Sequence, residues 1–258
     1  KLVTITERTI TNSNDTISDG HALKAGAAQE RIITNGGDAI SDCQICNTYT
    51  AIECIASNSN NILTDFLKTG TYDRNRAFHT TISPSMDILI SSNLERLIYF
   101  VAGSGTVVNC MKSLADNGSY KISDDILEQI NRDFCGYFAS EANTTEAIGN
   151  TYDAYGYLAD PHTGVGLYCA GSFANESTSR NHMVVLSTAS PFKFASSVYK
   201  ALTNCIPPDG YEALTVLSEL TSEPIATPLA ELDKRTVRFS RVCLPEDMAN
   251  DLFEHLED

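Results

Sequence analysis

The sequence predicts an α/β fold, an open and mostly parallel sheet flanked by helices, on three observations. Short apolar runs alternate with segments of helical periodicity, the arrangement that builds parallel strands covered by crossover helices. The run Met183, Val184, Val185, Leu186 is apolar throughout, as in a strand buried on both faces, and Ser187, Thr188, Ala189, Ser190 and Pro191 follow it at once. Residues 62–68 have the spacing of a helix with one apolar face, and Gly70 stands where such a helix ends.

In chain order, residues 31–34 read as a short strand entering a turn at Asn35, Gly36 and Gly37, after which 38–46 start a helix. A strand, a glycine turn and a helix N-terminus make a potential anion site, because backbone N–H groups and the helix dipole both attract negative charge. On the loop alone, an ordinary Asn-Gly-Gly turn is the commoner meaning. Residues 53–56 read as a second strand and 57–61, SNSNN, as a polar turn. Residues 87–100 read as helical segments around a polar break at Ser91, Ser92 and Asn93. Residues 123–155 read as mainly helical, with Ser123 capping a first turn that holds Asp124 and Asp125, and with Asn143 and Glu146 as a second capping pattern. Near the C-terminus, Pro245 at a first helical position with Glu246 and Asp247 behind it announces a short helix.

Composition narrows the function classes. At 258 residues with 42% hydrophobic content, the chain has material for a sizeable core. A formal charge of −15 disfavours attraction to nucleic acid phosphates, so no nucleic-acid partner is expected. The longest uninterrupted apolar runs fall far short of the roughly 20 residues a membrane span needs, so none is expected. The opening KLVTITERT lacks a basic segment followed by an apolar run, so no secretory signal is read and a cytoplasmic location is expected. Eight irregularly spaced cysteines suit reduced, largely buried thiols better than a disulfide framework. Cys43 and Cys46 form a lone CxxC without a second half, and Cys54 has no partner at ligand spacing, so no metal is expected.

Several motifs carry a family likeness. The stretch SNSNNILTDFLKTGTYDRNRAFHT at 57–80 and TISPSMDILISSNLERLIY at 81–99 closely resemble threonine synthases of the bacterial and fungal type. YGYLADPHTGVG at 155–166, VVLSTASPFKF at 184–194 and, more weakly, SELTSEPIATPLAEL at 218–232 continue the resemblance in the family's order. It implies the second fold type of pyridoxal-phosphate enzymes, similar to the tryptophan synthase β chain, with this chain matching the C-terminal half. Within it, 34–110 and 156–205 would supply sheet-forming segments of the cofactor domain, 111–155 a helical segment and 206–258 a C-terminal tail.

The resemblance also implies chemistry: conversion of O-phosphohomoserine and water to threonine and phosphate, with pyridoxal 5'-phosphate as cofactor and a small phosphorylated amino acid as substrate. Such chemistry needs a phosphate cradle, a partner for the pyridine nitrogen and a lysine anchor. Gly36, Gly37 and Asp38 stand at the place of the family's glycine-rich phosphate loop, in a degenerate form. Thr188 matches the partner of the ring nitrogen, and Ser187 is the neighbouring alternative; without the family both read as hydroxyls capping a turn. Asn93 and Arg96 are candidate substrate ligands, Arg96 as a phosphate clamp or as an ion-pair partner on a helix surface. In Asp160, Pro161, His162 and Thr163, acid–base work competes with a hydrogen-bonded turn, the commoner role of a lone histidine. Lys193 does not match the family's anchoring lysine, which lies in the N-terminal half, and no lysine here stands in that motif. Catalytic residues are therefore not assigned, and the chain alone is not expected to form threonine. A related phospho-lyase and a non-catalytic binding module are the alternative functions.

Overall fold

The computed structural model describes residues 3–7, 52–177, 183–208, 210–237 and 241–256. Strand and turn at 31–46, with Gly36, Gly37, Asp38 and the Cys43–Cys46 pair, lie outside them. Two parallel strand pairs and one antiparallel pair carry the architecture: β1 (Val3–Glu7) beside β6 (Met183–Ser187), β2 (Glu53–Ser57) beside β5 (Phe134–Phe138), and β3 (Thr71–Asp73) against β4 (Ser119–Lys121). Helices α1 (Ile62–Thr69), α2 (Ser92–Asn117), α3 (Asp124–Asn131), α4 (Glu141–Tyr155), α5 (Pro161–Glu176), α6 (Ala195–Thr203), α7 (Glu212–Thr221), α8 (Thr227–Ala230) and α9 (Met248–Leu256) surround them. The α/β class read from the sequence stands.

Local chemistry explains most boundaries. Helix α1 buries Ile62, Phe66 and Leu67 and stops at Gly70, whose φ of 71° is the left-handed conformation that glycine adopts without strain. The C-terminal helix follows a 3₁₀ turn that Pro245 opens, with Glu246 and Asp247 in it. Other boundaries moved. Ser91, Ser92 and Asn93 do not break a helix; they begin α2, with Ser91 at the N-cap position in extended backbone, and a 3₁₀ turn at Pro84–Met86 precedes it. Ser123 does precede α3, but its side chain makes no capping bond. The second cap lies one turn earlier than expected: Ser140 and Asn143 form the capping box of α4.

The segment read as mainly helical also contains β5. Phe134, Cys135, Gly136, Tyr137, Phe138 has no β-branched residue, and its central glycine weakens the strand pattern. That glycine has a packing reason. A Cβ at Gly136 would lie 3.0 Å from the Thr64 Cα and 3.0 Å from Leu67 Cδ1, so α1 approaches the strand as closely as it does because no side chain intervenes. Strand β6 buries Val185 while Val184 and Leu186 remain exposed, so among the described residues it covers one face rather than two.

The core divides along the chain. One cluster joins Ile62, Phe66, Tyr72, Leu94, Ile98 and Ile130, with Phe66 edge-on to both Tyr72 and Tyr120 at 6.2 Å and those two tyrosines stacked at 5.2 Å. A second gathers Ile148, Leu158, Phe192, Val198, Leu214 and Leu217. Between them, Val165 and Cys169 of α5 pack with Ala139, Cys54 and Tyr137, which seats α5 on β2 and β5. Helix α2 has the length and composition of a membrane span, but Gly103, at φ 76° and ψ 173°, interrupts it, and Leu94, Ile98, Cys110 and Leu114 are buried in the protein.

Candidate functional site

Parallel pairing brings strand ends together, and the polar residues just beyond β2, β5 and β6 converge with two loops. The first cluster is built around Asp87. Its Oδ1 accepts from the Asn58 amide at 2.7 Å, the Asn60 amide at 3.0 Å and the Thr81 hydroxyl at 2.7 Å, while Oδ2 accepts the Thr81 backbone N–H at 2.9 Å. Asn58, Asn60, Thr81 and Ser83 are buried, so these donors depend on the carboxylate rather than on water. Asn58 also accepts the Asn60 N–H at 2.9 Å, and Asn60 exchanges bonds with the His79 backbone, which folds SNSNN into a fixed turn. Glu141, at the start of α4, accepts the Ile82 N–H at 3.2 Å.

The second cluster is built around Asp160, the N-cap of α5, whose side chain is fully buried. Its Oδ1 accepts the His162 N–H at 2.9 Å and faces His162 Nδ1 at 2.9 Å; its Oδ2 accepts the Thr163 hydroxyl. Thr163 Oγ1 lies 3.2 Å from Ser187 Oγ, and the Tyr157 hydroxyl donates to Ser187 at 2.8 Å. Each hydroxyl has a single hydrogen. That of Thr163 lies between the Asp160 carboxylate and Ser187, so Ser187 Oγ accepts from both Tyr157 and Thr163. The Ser187 oxygen is therefore engaged as an acceptor within the protein, whereas the exposed Thr188 hydroxyl has no partner among the described residues. Ser85 N–H, 3.2 Å from His162 Nε2, joins the two clusters.

Asn93 and Arg96 sit apart from this network, in the first turn of α2. Arg96 Nη2 donates to Asn93 Oδ1, and the buried Arg96 Nε has no partner. Among the described residues Arg96 makes no ion pair, so its charge is open to a ligand. The buried Tyr72 phenol fixes the approach to that turn, donating to Leu89 O at 3.0 Å and accepting the Ser91 N–H at 2.9 Å. His162 is hydrogen-bonded, as a lone histidine usually is, although in a first helical turn rather than a loop. Asn58, Asn60, Thr81 and Tyr157 were not visible as site residues; SNSNN was legible only as a turn.

Cys54, without a partner along the sequence, gains one from the sheet: it stands opposite Cys135 in the β2–β5 register. The hydrogen bond between the two thiols, and then burial, raises Cys54, while the same bond lowers Cys135. Burial pushes the Cys169 thiol up to about 12 and that of Cys110 up as well. Exposed Cys205 and Cys243 are thus expected to react with iodoacetamide at pH 8 at least ~100 times faster than Cys169, since the thiolate is the nucleophile. Peptide mass spectrometry over a time course checks the order; equal rates would show that the α5 interior is open. No group of three or more metal-ligating side chains comes together among the described residues.

Residues 163–248 match the family model of the threonine synthase C-terminal domain. Threonine synthase from Saccharomyces cerevisiae is 38% identical over 155 residues, 54% of this chain and 30% of the relative. Threonine synthase-like 1 from Pongo abelii is 38% identical over 140 residues, 53% of this chain and 18% of that protein. Among solved structures, the pyridoxal-phosphate-bound threonine synthase from Brucella melitensis superposes with a TM-score of 0.64 at 30% identity, covering 78% of this chain and 39% of that one. The matches thus span at most about two fifths of the relatives' length. Motif order, parallel strand ends and these similarities agree: the chain is a C-terminal region of the threonine synthase family.

Proposed function

We propose that this region forms the ring-nitrogen and substrate side of a pyridoxal-phosphate site that converts O-phosphohomoserine and water to threonine and phosphate in the cytoplasm. The observation that carries this reading is the exposed Thr188 hydroxyl at the end of β6, which has no partner among the described residues, beside a Ser187 whose oxygen already accepts from Tyr157 and Thr163. A neutral hydroxyl donor fits an unprotonated pyridine nitrogen, so the residues present suit that end of the cofactor. Gly36, Gly37 and Asp38 take the phosphate in this reading, on family position alone. When bound, the cofactor supplies an electron sink for carbanions. Thr188 orients the ring, and Arg96, held by Asn93, meets the substrate phosphate.

Threonine synthase-like 1 matches at the same identity as a threonine synthase, which favours a second reading, a related phospho-lyase with the same cofactor contacts. Titration of the chain with pyridoxal phosphate, followed by absorbance, tests the site. Thr188→Ala is expected to weaken binding about 10-fold, the value of one hydrogen bond. Equal affinity of the two proteins, or no saturable binding by either, would overturn the assignment. Once the N-terminal half of a family member supplies the anchoring lysine, adding O-phosphohomoserine separates the readings: threonine with phosphate supports the synthase, phosphate without threonine the phospho-lyase, and neither product a binding module.

A further inference from the structure

We propose that Asp160 and His162 are a positioning pair: the carboxylate holds the imidazole in its Nδ1–H form, so that Nε2 accepts the Ser85 amide and docks the 83–87 turn against the strand end that carries Ser187 and Thr188. Its functional meaning rests on the reading of that face as the ligand site.

Hydrogen accounting leads to a single state of the ring. Asp160 Oδ1, 2.9 Å from Nδ1, can only accept, so the hydrogen between them is on Nδ1. The Ser85 backbone N–H, 3.2 Å from Nε2, can only donate, so Nε2 keeps its lone pair. The histidine is neutral and a single tautomer, set by its carboxylate partner. Its side chain is 9% exposed, and the Phe194 ring, edge-on with centroids 4.8 Å apart, restrains the ring plane. Asp160 is itself fixed as the N-cap of α5 and by Thr163.

The docked turn matters because Ser83 and Asp87 lie at its two ends. Ser83 bonds the Asn58 amide, and Asp87 gathers Asn58, Asn60 and Thr81, so the turn sets where that cluster stands relative to β6. Ser85 is an exposed residue, and its amide would bond to water if the imidazole did not take it. His162 therefore acts through the turn, not on a substrate.

The test uses the ¹⁵N-labelled full chain. Long-range ¹H–¹⁵N spectra at neutral pH are expected to show His162 protonated at Nδ1 and unprotonated at Nε2; a ring protonated at Nε2, or at both nitrogens, overturns the proposal without any variant. Asp160→Ala removes the oxygen that both caps the His162 N–H and faces Nδ1. It is expected to move the ring hydrogen to Nε2 and to speed Ser85 amide exchange about 10-fold. His162→Gln puts a carbonyl oxygen near the Nε2 position and is expected to retain Ser85 protection, whereas His162→Phe fills the space and loses it. Equal protection in the Gln and Phe variants, with Tyr72 and Tyr120 amides unchanged as a folding control, would make His162 a packing residue and refute the pair. None of these measurements needs a ligand, so a failure of cofactor binding and a failure of the pair are told apart.

Discussion

Phe66→Ala is expected to lower the stability of the folded chain by about 3–5 kcal/mol, the usual loss for a fully buried phenylalanine. Phe66 is wholly buried and stands edge-on to both Tyr72 and Tyr120, so its removal opens a cavity beside the two stacked rings. Those rings hold more than core volume. Tyr72 ties the backbone at Leu89 and Ser91, immediately before the helical turn that carries Asn93 and Arg96. A core mutation far from the strand ends should therefore also loosen the arginine proposed to meet phosphate. Urea unfolding followed by far-ultraviolet circular dichroism checks the first part; a loss below about 1 kcal/mol would mean that the three rings do not pack as a unit.

Asp87→Ala is expected to cost about 2–4 kcal/mol, because four donors lose one acceptor and those of Asn58, Asn60 and Thr81 belong to buried residues. Partial exposure of Asp87 lets water recover some of the loss, which keeps the figure below the sum of four unsatisfied groups. Asp87→Asn keeps the shape but brings an NH₂ among donors, so it is expected to restore little. The same denaturation experiment, run on both variants, decides whether acceptor number or side-chain volume matters. Recovery of full stability by the Asn variant would favour volume.

What the sequence made legible is what is encoded locally. Helix α1 shows its apolar face and its glycine stop within nine residues, and β2 and β6 show short apolar runs. Strand β5 did not, because Gly136 was chosen by the approach of α1, a contact with residues about seventy positions earlier. The site divides in the same way. Asp160, His162 and Thr163 lie in one motif, and Ser187 and Thr188 in another, so both motifs could be singled out. Asn58 could not, since its partners stand 23, 25 and 29 positions along the chain and are brought near only when the loop folds back beyond β2. The Cys54–Cys135 pair depends on strand register, which no spacing along the chain reveals.

The two main hydrophobic clusters are also consecutive in the chain: one is drawn from residues 55–134 and the other from 148–229. Contacts that are local in sequence form early and open as units, so each cluster has the makings of its own cooperative foldon. Native-state hydrogen exchange would then sort amides into two protection classes divided near α4. Ser85 and His162 belong to opposite sides of that division, and their hydrogen bond lies on the seam that the packing of α5 on β2 and β5 also closes. A face assembled across such a seam has no stability of its own; it exists for as long as both foldons are closed.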